Sequence, residues 1–261
     1  MGIFGRIDTF ITWFDGVVWG LPLIILILVT GIFLTVRLGL LQVRYLGKAL
    51  KFMVKNEEDG HGEVTSFGAL CTALSATIGT GNIVGVATAI SAGGPGALFW
   101  MILTAFLGMA TKYSEGLLAV KYRTIDEDGH VLGGPFYYIE NGMGVKFRWL
   151  AKIFAFFGAG VGLFGIGTFT QVNGISSAVR NFFDPNMAHT VALFGNDYSW
   201  ATVISCLVLT VCVGMVVLGG IKRIAKVSEI VVPFMAVLYV VLAVIIMVTN
   251  ITAIPAAIVT I

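Results

Sequence analysis

Charge is scarce in this chain. Lys, Arg, Asp and Glu make up 11% of its 261 residues, against about 25% in a soluble globular domain. That shortage excludes an ordinary solvated surface. With a hydrophobic fraction of 57%, it points to a polytopic membrane protein and not a large-cored soluble one. Cysteine is rare too, and Cys71, Cys206 and Cys212 all fall inside apolar runs. They read as small buried residues, not as a disulfide framework or a metal site. His61, His130 and His189 lie in loops and form no ligand cluster. No nucleophile stands beside a base and no phosphate-binding loop occurs, so neither an enzyme nor a cofactor is expected. Before the first apolar run, Arg6, Asp8 and Asp15 leave one net negative charge, where a cleavable signal peptide is positive.

Long hydrophobic runs fill the remainder. Six stretches are long enough to cross a bilayer: 17–36, 67–92, 97–120, 150–179, 201–218 and 227–248. The gaps leave no room for a soluble domain. The expectation is an all-α polytopic membrane protein with a single transmembrane domain over 1–261. Its charges are ordered along the chain. The segments after spans one, three and five hold thirteen of the sixteen Lys and Arg. Basic residues mark the cytoplasmic side. The N-terminus and Ile261 are therefore expected outside, with a multi-pass chain in the cell membrane. Residues 44–55 read as an amphipathic surface helix, with Leu46, Leu50 and Met53 on one side and Lys48, Lys51 and Lys55 on another.

Polar residues at mid-span are the sharpest local signal. Thr77-Ile78-Gly79-Thr80-Gly81-Asn82 interrupts the second span. A helix in lipid satisfies its own backbone, and opened backbone persists only inside protein or beside a watery cavity. A break here leaves free carbonyls near Ser75 to Ile78, suited to a cation or an ammonium group. It leaves free N–H groups near Thr80–Asn82, suited to a carboxylate. The competing reading is close helix packing through small residues. The fourth span carries Gly160, Gly167, Gln171 and Gly174 on one helical face by their spacing. Gln171 there either contacts a solute or bonds a neighbouring helix. Lys112 and Glu115 stand one turn apart and read as an ion pair or snorkelling side chains. Glu229 reads as a partner for Lys226 or Arg223. Gly-Gly-Pro at 93–95 and 133–135 marks helix ends.

Three blocks resemble one family in order: ATIGTGNIVGVATAISAGGPGALFWM (76–101), GGPFYYIE (133–140) and GGIKRIAKVSEIVVPFMA (219–236). They resemble the alanine or glycine:cation symporters, also called sodium:alanine symporters. The resemblance implies a leucine-transporter-type fold, with an extra N-terminal helix (17–36) and a first five-helix repeat (67–248). It implies sodium-coupled uptake of alanine or glycine across a prokaryotic inner membrane, with no cofactor besides Na+ as coupling ion. The implied partners are a small neutral amino acid, sodium and the bilayer, not nucleic acid. By the same resemblance, Thr77, Thr80, Gly81, Gly165, Phe169 and Gln171 line the substrate pocket, and Ser75, Ile78 and Asn82 contact sodium. The family's chains are longer. The second repeat is absent, which makes this the N-terminal half of a transporter that needs its C-terminal half. Two alternatives stand beside that reading: proton coupling through Glu115, and a non-transporting membrane subunit.

Overall fold

The computed structural model describes residues 3–54, 64–165, 167–193 and 195–261. Lys55, His61 and residue 166 of the fourth expected span lie outside the described residues. Five stretches are long and apolar enough to cross a membrane among the described residues: Gly5–Arg37, Gly96–Lys121, Val145–Phe183, Trp200–Val217 and Gly220–Thr249. The second expected span (67–92) is instead two short apolar helices, Ser66–Thr77 and Val84–Gly93. The chain is thus an all-α polytopic membrane protein. Its large apolar side chains, such as Ile25, Phe33, Ile102 and Leu207, face outward. That distribution suits lipid as the solvent, because lipid tails impose no penalty on exposed apolar surface.

Helix α1 (Ile3–Val18) leads into α2 (Leu21–Arg37), which has Pro in its first turn, where the missing N–H costs nothing. Two short helices follow, α3 (Leu41–Arg44) and α4 (Leu46–Val54). The expected amphipathic segment is therefore split, with its main helix starting at Leu46. Next come α5 (Ser66–Thr77), α6 (Val84–Gly93) and α7 (Gly96–Lys121). Both Gly-Gly-Pro turns fall at helix boundaries as expected: α6 ends at Gly93, and α8 (Pro135–Met143) begins at Pro135.

The fourth expected span departs from the sequence reading. Helix α9 (Arg148–Phe164) stops at Gly165, and α10 (Thr168–Phe183) restarts after Gly167. Both glycines have positive φ, 58° and 91°, a region that L side chains enter only with strain. Gly160 therefore lies on a different helix from Gly167, Gln171 and Gly174. The four do not share one continuous face.

Helix α11 (Trp200–Val217) and helix α12 (Gly220–Thr249) complete the long elements, and α13 (Ile254–Thr260) follows. Pro233 sits within α12 without ending it. Two small antiparallel ribbons lie between helices. Strand β1 (Thr124–Ile125) pairs with β2 (Val131–Leu132), and β3 (Thr190–Leu193) pairs with β4 (Asn196–Ser199) in the register Thr190 to Ser199.

Three contacts set the frame. Helix α2 lies so close to α7 that a Cβ on Gly31 would be 2.9 Å from the Leu107 Cβ. Gln42 of α3 joins the two, since its Nε2 donates to Thr35 Oγ1 (2.9 Å) and to the Phe106 carbonyl (3.2 Å). Helix α5 packs on α12 through small buried residues, Gly68 and Cys71 on one side and Ala225, Ser228 and Val232 on the other. Small residues let backbones approach where lipid supplies no hydrophobic drive. The third contact joins α10 and α11, with Ser176 buried on α10.

The cysteines are not alike. Cys71 is buried, Cys206 is half-buried and Cys212 is exposed, so the expectation of three buried thiols is corrected for Cys212. A thiol tolerates a lipid-facing position because it behaves as a small apolar group.

Candidate functional site

The second span breaks where its polar residues predict. Helix α5 ends at Thr77. Ile78 (φ −88°, ψ 109°) and Gly79 (φ −148°, ψ −164°) are extended, and one 3-10 turn, Thr80–Asn82, precedes α6. The outer helix thus restarts at Val84, a turn later than the sequence suggests. Its polar residues sit in the connecting turn and not in the helix itself.

Across the break the Asn82 N–H donates to the Gly79 carbonyl (3.1 Å), and the Ile83 N–H donates to the Thr80 carbonyl (3.2 Å). Among the described residues, the Thr80 and Gly81 N–H groups donate to no backbone carbonyl, and the Ser75, Ala76 and Ile78 carbonyls receive no backbone N–H. The backbone between α5 and α6 therefore presents donors beside acceptors that no other backbone group uses among the described residues. In lipid each such group costs several kcal/mol unless something pairs it. That arrangement suits a zwitterion, whose carboxylate accepts and whose ammonium donates.

Side chains finish part of this lining. Asn82 Nδ2 donates to the Thr77 carbonyl at 3.3 Å, bridging the break and leaving its own Oδ1 as an acceptor. The Thr77 carbonyl, expected to face a substrate amine, thus already holds one partner and keeps one lone pair. Ser75 Oγ donates to the Thr72 carbonyl (2.7 Å), and Thr77 Oγ1 donates to the Ala73 carbonyl (2.8 Å). Both hydroxyl oxygens therefore point their lone pairs away from the helix backbone.

Helix α10 meets the turn directly. A Cβ built on Gly79 would lie 3.0 Å from Gln171 Nε2, and one on Gly174 would lie 2.8 Å from Thr80 Cγ2. Gln171 and Gly174 are three residues apart and share a face. Two independently predicted signals, the broken helix and the amide on the fourth span, are therefore in contact. Sequence reasoning missed the reason for Gly79 and Gly174: each clears space for the other segment. The three-residue spacing from Gln171 to Gly174 shows that the two share a face, not what that face meets.

The remaining predicted residues are less central. Ser75, Ile78, Thr80 and Gly165 are half-buried, whereas Thr77, Gly81, Asn82, Phe169 and Gln171 are exposed. Gly81 borders open space. Gly165 and Phe169 sit at the junction of α9 and α10, and Phe169 projects outward with 77% of its surface free. They are not brought against the break.

Two charged positions resolve differently from each other. Lys112 and Glu115 form the expected ion pair at 3.0 Å, with both side chains well exposed. Glu229 corrects its expectation. It bonds neither Lys226 nor Arg223 among the described residues. Instead Thr65 Oγ1 donates to its Oε1 at 2.9 Å, linking α12 to the start of α5.

A pocket of 550 Å³ lies between α10 and α11, lined by Ile175, Val179, Trp200, Ile204 and Val208, with Asp184 and His189 at one end. Asp184 is a structural anchor there. Its Oδ2 accepts from Ser199 Oγ (2.6 Å) and its Oδ1 from the Ala188 N–H (2.7 Å). Those bonds, Ser199 first, hold the carboxyl below the usual carboxylate range. Elsewhere, burial chiefly, and then the Glu115 charge, push the Tyr138 hydroxyl up on α8.

A polytopic helical bundle with interrupted spans, the second of them opened between two short apolar helices, fits a membrane carrier. The chain belongs to the sodium:alanine symporter family, whose model matches residues 5–261. It is 52% identical over 252 residues to an uncharacterized transporter of Haemophilus influenzae, covering 97% of this chain and 52% of that protein. It is 48% identical over 242 residues to the sodium/alanine symporter AgcS of Methanococcus maripaludis, covering 90% of this chain and 49% of that protein. The amino-acid carrier protein AlsT of Bacillus subtilis is 37% identical over 232 residues, 88% of this chain and 45% of that protein. The chain spans about half the length of the curated relatives it matches. The family is one of transporters, not enzymes.

Proposed function

We propose that this chain forms part of a symporter that couples inward sodium flow to uptake of alanine or glycine through the cell membrane, with the N-terminus outside. One observation carries the reading. The unpaired donors and acceptors around Gly79–Gly81 lie against Gln171 of α10, at a depth where lipid leaves such groups no other partner. The Thr80 and Gly81 N–H groups receive the substrate carboxylate. Thr77 carries the second carbonyl lone pair for its ammonium group. Gln171 closes the far side, with Gly165 and Phe169 along the approach. Ser75, Ile78 and Asn82 supply oxygens to sodium.

The absence of a charged side chain in this lining favours a small neutral solute. Each sodium ion entering at 100 mV contributes about 2.3 kcal/mol from the potential alone, or about 50-fold in concentration ratio. Residues 67–248 act as one five-helix repeat in this scheme, with 17–36 as the extra helix. The name of the related AgcS, a sodium/alanine symporter, supports alanine as the first substrate to test.

The test is uptake of radiolabelled alanine by vesicles carrying the complete gene product, with sodium or with potassium outside. Uptake is expected only with sodium. Asn82→Ala is expected to raise the sodium concentration for half-maximal uptake about tenfold, because one ligand group and the bridge to Thr77 are lost. Uptake of equal rate in potassium ends the sodium claim.

A further inference from the structure

The break interrupts the helical ladder between α5 and α6, and across it run the Asn82 N–H to Gly79 carbonyl bond and the Asn82 Nδ2 bond to the Thr77 carbonyl. No backbone hydrogen bond links Ile78 or Gly79 forward to α6 among the described residues. The halves also have different neighbours, since α5 packs on α12 and α6 packs on α7. What ties α5 to α12 therefore positions the inner half largely apart from α6. Beside the small-residue packing already described, a polar tie lies at the end of α5 farthest from the break. Thr65 Oγ1 donates to Glu229 Oε1 at 2.9 Å and accepts the Gly68 N–H at 3.0 Å. Gly68 is what admits the carboxylate, since a Cβ there would come within 2.5 Å of Glu229 Oε1. A carboxylate over the first turn of a helix is also favoured by the helix dipole.

We propose that Glu229 is a positioning residue for transport. It latches the inner half-helix to α12 through Thr65 and touches neither solute nor ion. The proposal rests on the transport reading above. It gives the chain its own reporter. Cys71 stands one turn beyond Gly68 on the same helix face and is 1% exposed, so a thiol reagent reaches it only when α5 leaves α12.

The experiment uses the complete gene product with every cysteine except Cys71 replaced by Ala, in native membranes treated with N-ethylmaleimide. The parent is expected to label slowly. Glu229→Ala and Gly68→Ala are each expected to label about tenfold faster, with Glu229→Gln between them and the parent, as a charged hydrogen bond is lost or weakened. The KM for alanine is expected to rise as the latched, competent fraction falls, because apparent affinity scales with that fraction. A purely structural role lowers protein yield but does not tie labelling rate to KM.

Parental labelling in inserted Glu229→Ala or Gly68→Ala protein overturns the latch. Faster labelling with unchanged KM overturns its part in transport. Where Glu229→Ala fails to insert, Gly68→Ala and Glu229→Gln decide, since one keeps the carboxylate and the other keeps its shape. Should the parent take up no alanine, the transport reading fails, while the labelling rates still judge the latch.

Discussion

Gln171 occupies the space that a side chain at Gly79 would need: a Cβ there would be 3.0 Å from the Gln171 Nε2. The contact joins the loose turn of one span to the face of another. It also makes the glycine directly testable. Gly79→Ala displaces a flexible amide, not backbone, so insertion and yield are expected to stay normal. The KM for alanine is expected to rise about tenfold, the loss of roughly one hydrogen bond. An unchanged KM in well-expressed Gly79→Ala protein removes Gln171 from the pocket.

Gly174 and Thr80 make a second, tighter pair. Gly174→Ala sets a methyl group 2.8 Å from Thr80 Cγ2, and such overpacking costs about 1–3 kcal/mol. Thr80→Ser removes the offending methyl and keeps the hydroxyl. The double variant is expected to recover most of the thermal stability and uptake lost by Gly174→Ala. A double-mutant cycle without coupling between the two positions contradicts the contact.

Asp184 gives a pH signature. Its folded carboxyl is held below the ordinary value, chiefly by the Ser199 hydroxyl. The stabilisation is therefore fully present above the unfolded pKa of about 3.9 and is lost as pH falls through the lower folded value. The melting temperature in detergent is expected to drop on acidification below about pH 4, and Asp184→Asn is expected to flatten that part of the profile. Ser199→Ala removes the same bond together with the cap on α11, where Ser199 Oγ accepts the Ala201 N–H at 3.3 Å. It is expected to cost about 1 kcal/mol for the cap. Identical acid profiles for parent and Asp184→Asn would refute this role.

Glu115 tests proton coupling. It is paired with Lys112 and well exposed, and exposed pairs contribute about 0–1 kcal/mol. Glu115→Gln is expected to leave sodium-driven uptake within about twofold of the parent, since so weak a pair carries little energy. Loss of uptake in that variant, with a proton gradient able to drive the parent without sodium, would establish the rival mechanism.

Much of the fold was legible because lipid leaves few choices. A run of apolar residues long enough to span must be helical, and the small polar cluster at 77–82 announced its own break. The junction at Gly165–Gly167 was harder to see. Six glycines between 158 and 174 fit a packing stripe as readily as a helix end, and only the positive φ values single out two of them. The Glu229 contact was hidden for another reason. Its partner Thr65 is 164 positions away, whereas Lys226 and Arg223 are neighbours on the same helix, and local spacing favours neighbours. In the site, residue type pointed to Gln171 and the Gly-Thr-Gly-Asn turn. Their contact depends on tertiary clearance at Gly79 and Gly174, which spacing alone does not encode.

The close approach of Gly31 to Leu107, with Gln42 bonded to both Thr35 and the Phe106 carbonyl, has a practical consequence. Helix α2 is fastened to α7 along its length and at its end, and does not hang as a free leash. A fluorophore attached to α2 therefore reads out the displacement of α7, and through α7 that of its packing neighbour α6. Helix α2 becomes a handle for watching one wall of the bundle without a label near the broken span.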